Sequence, residues 1–117
     1  MGDYEVRQGD IFLSDQKYDE ALERFTAALK VMPDHRGALM GLGIAYMQSG
    51  RLAEAEAEFT YLIGFLTKTL EPDDLTGIGT LASAYTNRGI LYDRTQRYEK
   101  ALADYISALK VDPEAVE

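Results

Sequence analysis

The chain has 117 residues, of which 46% are hydrophobic, and its 20 acidic and 12 basic side chains give it a net charge of −8. This length fits one small domain, and the apolar content excludes an intrinsically disordered chain. The charge argues against a nucleic-acid partner, since phosphate binding needs a surplus of Lys and Arg, and it favours a partner with a basic surface.

Three absences in the sequence narrow the classes of protein further. No apolar run reaches the ~18 residues of a membrane span, so we expect no membrane partner. Residues 1–5 are acidic where a secretion signal is basic and then apolar, which predicts a cytoplasmic protein. No cysteine is present, so neither disulfides nor thiolate metal sites can form. His35 is the only histidine and is interpreted as a surface residue, so we expect no cofactor and no metal.

The spacing of apolar residues predicts helices along the chain. The second helix shows it most clearly, with Phe25 in a stripe of alanines at helical spacing. Pro33 is expected to end this helix, Asp34 is placed to cap the next one, and Gly50 suits the left-handed position after the third. The predicted helices cover about 3–14, 18–31 and 35–49, then begin again near residue 52 and after Pro72, and finish with one over about 98–111.

Three stretches of the chain share one pattern of glycine, aromatic and alanine positions. The glycine of the pattern occurs at Gly9, Gly43 and Gly89, so the first interval is 34 residues and the second is 46. The aromatic position recurs with the same two intervals, at Phe25, Phe59 and Tyr105. An interval of 34 residues is typical of a helix-turn-helix repeat, and the second interval contains 12 additional residues.

The additional residues fall at about 70–81, between the second and third copies of the pattern. We expect them to lengthen the fourth and fifth helices, with Asp73 or Asp74 as the N-cap of the fifth. A structureless loop is the alternative, because Gly77 and Gly79 would each cost a helix about 1 kcal/mol.

These residues and intervals resemble the tetratricopeptide repeat (TPR) family. The resemblance implies an all-α fold of six helices, a right-handed superhelical stack of antiparallel helix pairs. It also implies a single domain over 1–117, with repeats at 2–35, 36–69 and 82–115 and the insertion at 70–81. Related proteins hold an extended peptide or a partner helix in the concave groove that their first helices line.

The groove positions can be carried over from the family one repeat at a time. The expected groove residues are Val6, Asp10, Leu13 and Ser14 in the first repeat, Met40, Ile44, Met47 and Gln48 in the second, and Thr86, Asn87, Ile90, Asp93 and Arg94 in the third. The middle of this groove is apolar and rich in Met, which suits adaptable contacts with a peptide. The alternative is that Met40 and Ile44 pack under the neighbouring repeat.

One use of the family is excluded by the residues at the matching positions. TPR co-chaperones grip the terminal carboxylate of heat-shock chaperones with a clamp of two Lys, one Arg and two Asn. The matching residues here are Val6, Asp10, Gly41, Ser83 and Asn87, none of which is positively charged. Asp10 would repel a carboxylate.

We expect the chain to be no enzyme. Residues 77–82 fit a dinucleotide-binding fingerprint formally, but no strand is predicted before them, and that motif needs one. The predicted function is a non-catalytic protein-interaction module or scaffold that binds a protein or peptide. The alternative is a TPR-type chaperone that shields a secreted or assembling client subunit.

The last predicted helix carries a second apolar stripe formed by Leu102, Ile106 and Leu109. Only residues 112–117 follow this helix, so nothing in the sequence is available to cover the stripe. Burying each such side chain is worth roughly 1.5 to 3 kcal/mol. We therefore expect either that the chain is an excerpt from a longer protein or that it forms a homo-oligomer through this stripe.

Overall fold

The computed structural model describes residues 1–114, and these form six α-helices without a strand. The helices are α1 (Asp3–Ser14), α2 (Tyr18–Val31), α3 (Arg36–Gln48), α4 (Leu52–Thr69), α5 (Leu75–Arg94) and α6 (Tyr98–Val111). The helices predicted from apolar spacing agree with these bounds to within one or two residues. The end of the third predicted repeat, at residue 115, lies outside the described part of the chain.

The chain divides into two compact units. Unit 1 is Met1–Glu58, with α1, α2, α3 and the start of α4, and unit 2 begins at Phe59, with the rest of α4, α5 and α6. In unit 1, α2 packs against both α1 and α3, and in unit 2, α5 packs against α6. Each unit therefore contains helix pairs joined by short turns.

Phe25 is the centre of unit 1. Its side chain is fully buried and clusters with Ala21 and Leu42, which come from α2 and α3. A Cβ atom added to Gly9 on α1 would lie 2.6 Å from the Phe25 ring, and one added to Gly41 on α3 would lie 2.4 Å from it. Both glycines therefore let a backbone approach the ring more closely than any other residue would allow.

Tyr105 plays the matching part in unit 2. A Cβ atom on Gly89 of α5 would lie 2.6 Å from the Tyr105 ring of α6. The Tyr105 hydroxyl donates a 2.6 Å hydrogen bond to Asp93 of α5. The side chain therefore contacts α5 through its ring, beside Gly89, and through its hydroxyl group. Burial of the side chain is the main cause that raises the pKa of Tyr105 to about 12, and this hydrogen bond is the second cause. Phe25 and Tyr105 are thus interhelical residues, as their equivalent sequence positions predict.

Polar pairs link the two helices at equivalent positions of each unit. Arg88 of α5 donates from Nε and Nη2 to the two carboxylate oxygens of Asp104 on α6, at 2.7 and 2.8 Å. Asp104 is only 5% exposed, and its hydrogen bond raises the pKa of Arg88. In unit 1, Arg24 of α2 donates to Gln8 of α1 at 3.2 Å. The residues of each pair are 16 positions apart, and the two pairs occupy equivalent positions in their repeats. The arginine comes from the second helix of the pair in unit 1 and from the first helix of the pair in unit 2.

The start of α3 differs from the prediction. Its N-cap is His35, in an extended backbone conformation, and the ring Nδ1 accepts the N–H of Ala38 at 3.3 Å. The ring proton then lies on Nε2, which donates to Asp3 at 2.7 Å. The His35 side chain is only 14% exposed. The predictions of Asp34 as the cap and of His35 as a surface residue were wrong, because α1 places a carboxylate beside the ring.

The turns inside the helix pairs share one backbone conformation. Gly50 follows α3 with φ +83°, the left-handed conformation that its residue type predicts. Gln16 and Gln96 also have positive φ, at 60° and 63°. These three positions are separated by the same intervals of 34 and 46 residues as the glycine and aromatic positions.

The segment between α4 and α5 is short. α4 ends at Thr69 and α5 begins at Leu75, so most of the additional residues lie inside α5. The Asp74 carboxylate accepts the N–H of Gly77 at 2.9 Å and caps that helix. With 18 and 20 residues, α4 and α5 are the two longest helices in residues 1–114.

Candidate functional site

The predicted groove residues of the first two repeats lie in unit 1, on α1 and α3, which contact each other. Four of them are half-buried, two on each helix, and three others are exposed. The eighth, Met47, is buried. The half-buried residues are Val6, Leu13, Met40 and Ile44, and the exposed ones are Asp10, Ser14 and Gln48. We call these eight residues of α1 and α3 the α1/α3 face, and they include both half-buried apolar and exposed polar positions.

Packing inside unit 1 limits what this face can offer. Val6 and Leu13 pack against the Phe25 cluster, so part of each side chain already belongs to the core. Met47 is only 7% exposed and adds little accessible surface. Met40 and Ile44 are the other two half-buried apolar residues of this face.

Asp10 provides the negative charge of the α1/α3 face. Its side chain lies on the exposed side of α1, yet partial desolvation by its neighbours raises the pKa of its carboxyl. Desolvation makes a carboxylate more responsive to an incoming cation, because the favourable Coulomb energy grows as the surroundings become less polar. The face thus combines apolar surface with a carboxylate that a cation would stabilise.

The predicted groove residues of the third repeat lie in unit 2, on α5. Thr86 donates its hydroxyl to the Ala82 carbonyl at 3.0 Å, and Asn87 donates its amide to the Ser83 carbonyl at 2.9 Å. Those donors are engaged within their own helix. Ile90 is half-buried and Arg94 is exposed, so this separate patch offers one apolar and one basic side chain.

Two positions of the carboxylate clamp, Val6 and Gly41, take part in the packing of unit 1. A side chain at Gly41 would collide with the Phe25 ring, as described above, so no charged group can be carried there without repacking. Val6 packs against the Phe25 cluster and also lies 3.3 Å from the Cβ position of Gly37. At these two positions, the residues that replace the clamp are therefore part of the packing of unit 1.

The remaining predicted features are the apolar stripe of α6, the glycines of residues 77–82 and the membrane criterion. Leu102, Ile106 and Leu109 on α6 are 60%, 44% and 40% exposed, so the second stripe lies on the surface of the described chain. The glycines of residues 77–82 lie inside α5, where no strand precedes them. Within residues 1–114, no helix combines the length and apolarity needed to cross a membrane.

Helix pairs with glycine and aromatic residues at their contacts define a helical-repeat protein. A sequence profile described as tetratricopeptide repeat matches residues 6–65, and a second profile with this description matches residues 82–115. Since the first match alone covers half of the chain, the chain belongs to the tetratricopeptide repeat family.

Curated relatives are similar over most of this chain. Anaphase-promoting complex subunit 3 of Schizosaccharomyces pombe is 28% identical over 105 residues, which make up 90% of this chain and 14% of the relative. The Hsp70-Hsp90 organizing protein of Triticum aestivum is 27% identical over 115 residues, 97% of this chain and 17% of the relative. The chain thus spans less than a fifth of the length of these relatives.

Two solved structures are similar in fold. The first TPR of Spaghetti (RPAP3), solved bound to the HSP90 peptide SRMEEVD, matches with a TM-score of 0.80 and 21% identity, over 97% of this chain and 80% of that one. The TPR domain of Arabidopsis OM64 matches with a TM-score of 0.80 and 19% identity, over 97% and 84%. These likenesses confirm the predicted all-α helical-repeat fold.

Proposed function

We propose that this chain is a non-catalytic protein-interaction module that binds a peptide or partner helix on the α1/α3 face of unit 1. The observation that carries the proposal is the half-buried apolar surface of Met40 and Ile44 on a face that also exposes the Asp10 carboxylate. A ligand with an apolar anchor and a nearby Lys or Arg fits this chemistry. The net charge of −8 favours the same kind of ligand.

Membership of the TPR family supports an interaction module in general terms. One structural neighbour was solved with an HSP90 peptide, and one curated relative is named as an Hsp70-Hsp90 organizing protein. The acidic peptide SRMEEVD is a poor ligand for this chain, because Asp10 carries the wrong charge and Gly41 has no side chain. We therefore propose a partner different from the peptide seen in that neighbour.

Two further proposals concern the domain organisation of the chain and the cellular compartment of the protein. We propose one TPR domain with repeats at 2–35, 36–69 and 82–115, and a cytoplasmic protein. The α5 patch with Ile90 and Arg94 belongs to the third of these repeats and is proposed as a further contact region.

Peptide selection from a random library tests the proposed face. We expect selected peptides to combine an apolar residue with Lys or Arg, and to bind with Kd values near micromolar, because an extended peptide loses entropy on ordering. Ile44→Glu should weaken binding at least tenfold, since it places a charge on the apolar surface. Asp10→Lys should weaken binding of the basic peptides and reverse the preferred charge.

Ala53→Glu is the matched control for Ile44→Glu. Ala53 is exposed near the start of α4, so the variant adds the same charge away from the α1/α3 face. Both variants should keep the helical circular dichroism spectrum of the parent. Equal affinities for Ile44→Glu, Asp10→Lys and Ala53→Glu would contradict the proposed site.

The chaperone alternative stays a prediction. A chaperone of this kind should be isolated with its client bound and should lose stability when the client is removed. Co-purification from the natural source, followed by thermal unfolding with and without the bound protein, separates the two functions.

A further inference from the structure

The outward side of α6 carries a continuous apolar stripe. At about 100° per residue, Tyr98, Leu102, Ile106 and Leu109 fall within an arc of roughly 80°. All four side chains are at least 40% exposed. The opposite side of the helix contains Ala101, Asp104 and Ala108, which are buried in unit 2.

The corresponding stripe on α2 shows what these positions do when another helix covers them. Leu22 and Leu29 lie 80 residues before Leu102 and Leu109, at the same places in their repeat. Both are partly buried and pack against the Phe25 cluster, since α3 packs against α2. In residues 1–114, no helix follows α6 in the way that α3 follows α2, so these positions are suited to a helix that comes from elsewhere.

Two opposite charges lie along one edge of the α6 stripe. Glu99 is at the start of the helix and Lys110 is near its end, and both are exposed. At helical spacing they are separated by only about 20° around the axis, so they follow the same edge. The edge is therefore negative at one end and positive at the other.

This arrangement is complementary to itself when two copies of α6 pack antiparallel. In an isologous pair the same edge of each helix faces its counterpart, so Glu99 of one copy lies opposite Lys110 of the other, twice. The register that aligns these charges also places Leu102 against Ile106 of the second copy, to within one residue. A parallel pair would not bring this edge against its counterpart.

We propose that two copies of this chain form a two-fold dimer through antiparallel packing of α6, with Leu102 against Ile106 and Glu99 against Lys110 of the second copy. The apolar stripe provides the favourable free energy, and the charged edge selects the antiparallel orientation. The dimer covers Leu102 and Leu109, whose equivalents Leu22 and Leu29 are partly buried in unit 1. This inference is independent of the α1/α3 face.

Solution mass measured over a range of concentrations at physiological salt tests the dimer. The parent chain should pass from monomer to dimer as concentration rises, and Leu102→Glu should remain a monomer. Glu99→Lys and Lys110→Glu should each raise the dissociation constant at least severalfold, and the double variant should restore it. Glu71→Lys is the charge-matched control, since Glu71 is exposed and lies in the segment between α4 and α5.

Cysteine cross-linking tests the orientation, because the natural chain contains no cysteine. A mixture of Glu99→Cys and Lys110→Cys proteins should form the mixed disulfide in preference to either homodisulfide. A chain that stays monomeric at all concentrations overturns the proposal. A dimer unaffected by Leu102→Glu, or one in which Glu99→Cys links mainly to itself, also overturns it.

Discussion

Gly79 and Gly89 lie on the same helix, α5, yet replacing each with alanine should have opposite effects on stability. Alanine gains about 1 kcal/mol over glycine in a helix interior. A Cβ atom at Gly79 has no neighbour within 4 Å, so Gly79→Ala should keep most of that gain. A Cβ atom at Gly89 would lie 2.6 Å from Cε1 of Tyr105, about 0.8 Å closer than an ordinary contact.

The Tyr105 ring cannot move away without a cost, because its hydroxyl is bonded to Asp93. Overpacking of this kind costs typically 1–3 kcal/mol, which exceeds the helical gain. Gly89→Ala should therefore be less stable than Gly79→Ala by about 1–3 kcal/mol in urea unfolding. In a Tyr105→Leu background, which removes the ring, the gap between the two variants should shrink. Equal stabilisation by both alanines in the parent chain would refute the close contact between α5 and α6.

Three further substitutions test contacts inside unit 1 or inside unit 2. Phe25→Ala should lose about 3–5 kcal/mol in denaturant unfolding, because it empties a fully buried site, and a loss below about 1 kcal/mol would contradict the assigned core. Asp104→Ala should cost about 3–5 kcal/mol by leaving Arg88 without its buried carboxylate, whereas double replacement of both by apolar residues should cost much less. The hydrogen bond from His35 lowers the pKa of Asp3, so its stabilisation is present above the ordinary pKa of 3.8 and is lost as pH falls through the lower folded value. His35→Ala should make thermal unfolding less sensitive to pH in that acidic range, and an unchanged pH dependence would count against the pair.

The recurring residues carry the resemblance to the TPR family, and that resemblance predicted the fold. The intervals of 34 and 46 residues placed Phe25 and Tyr105 correctly, because each position is defined by contacts within one helix pair and its neighbour. The left-handed residues in the turns follow the same intervals, but only Gly50 could be predicted from its residue type. Glutamine at positions 16 and 96 gives no local indication of positive φ, since the repeat rather than the side chain imposes that conformation.

The features that the sequence did not predict depend on residues from different helices coming together. The cap of α3 is His35 because Asp3 of α1 holds its ring, and no pattern within the α3 segment contains that information. The burial of Met47 similarly could not be read from its helical phase alone. The pair of Arg88 and Asp104 has its counterpart in unit 1 with different residue types, so the repeat pattern of single residues conceals it.

The packing around Phe25 connects the stability of unit 1 with the kind of ligand that the α1/α3 face can bind. Because the ring occupies the space beside Gly41, this position cannot carry a basic side chain, and a carboxylate clamp cannot be completed here by a single substitution. Gly41→Lys would have to displace the ring before it could present its charge, at a cost comparable to that of losing the core contact. The partly exposed apolar residues and Asp10 remain as the groups that this face offers to the ligand proposed above. For the proposed site, the same close contact that holds α2 between α1 and α3 thus leaves apolar and basic groups as better expected ligands than acidic chain ends.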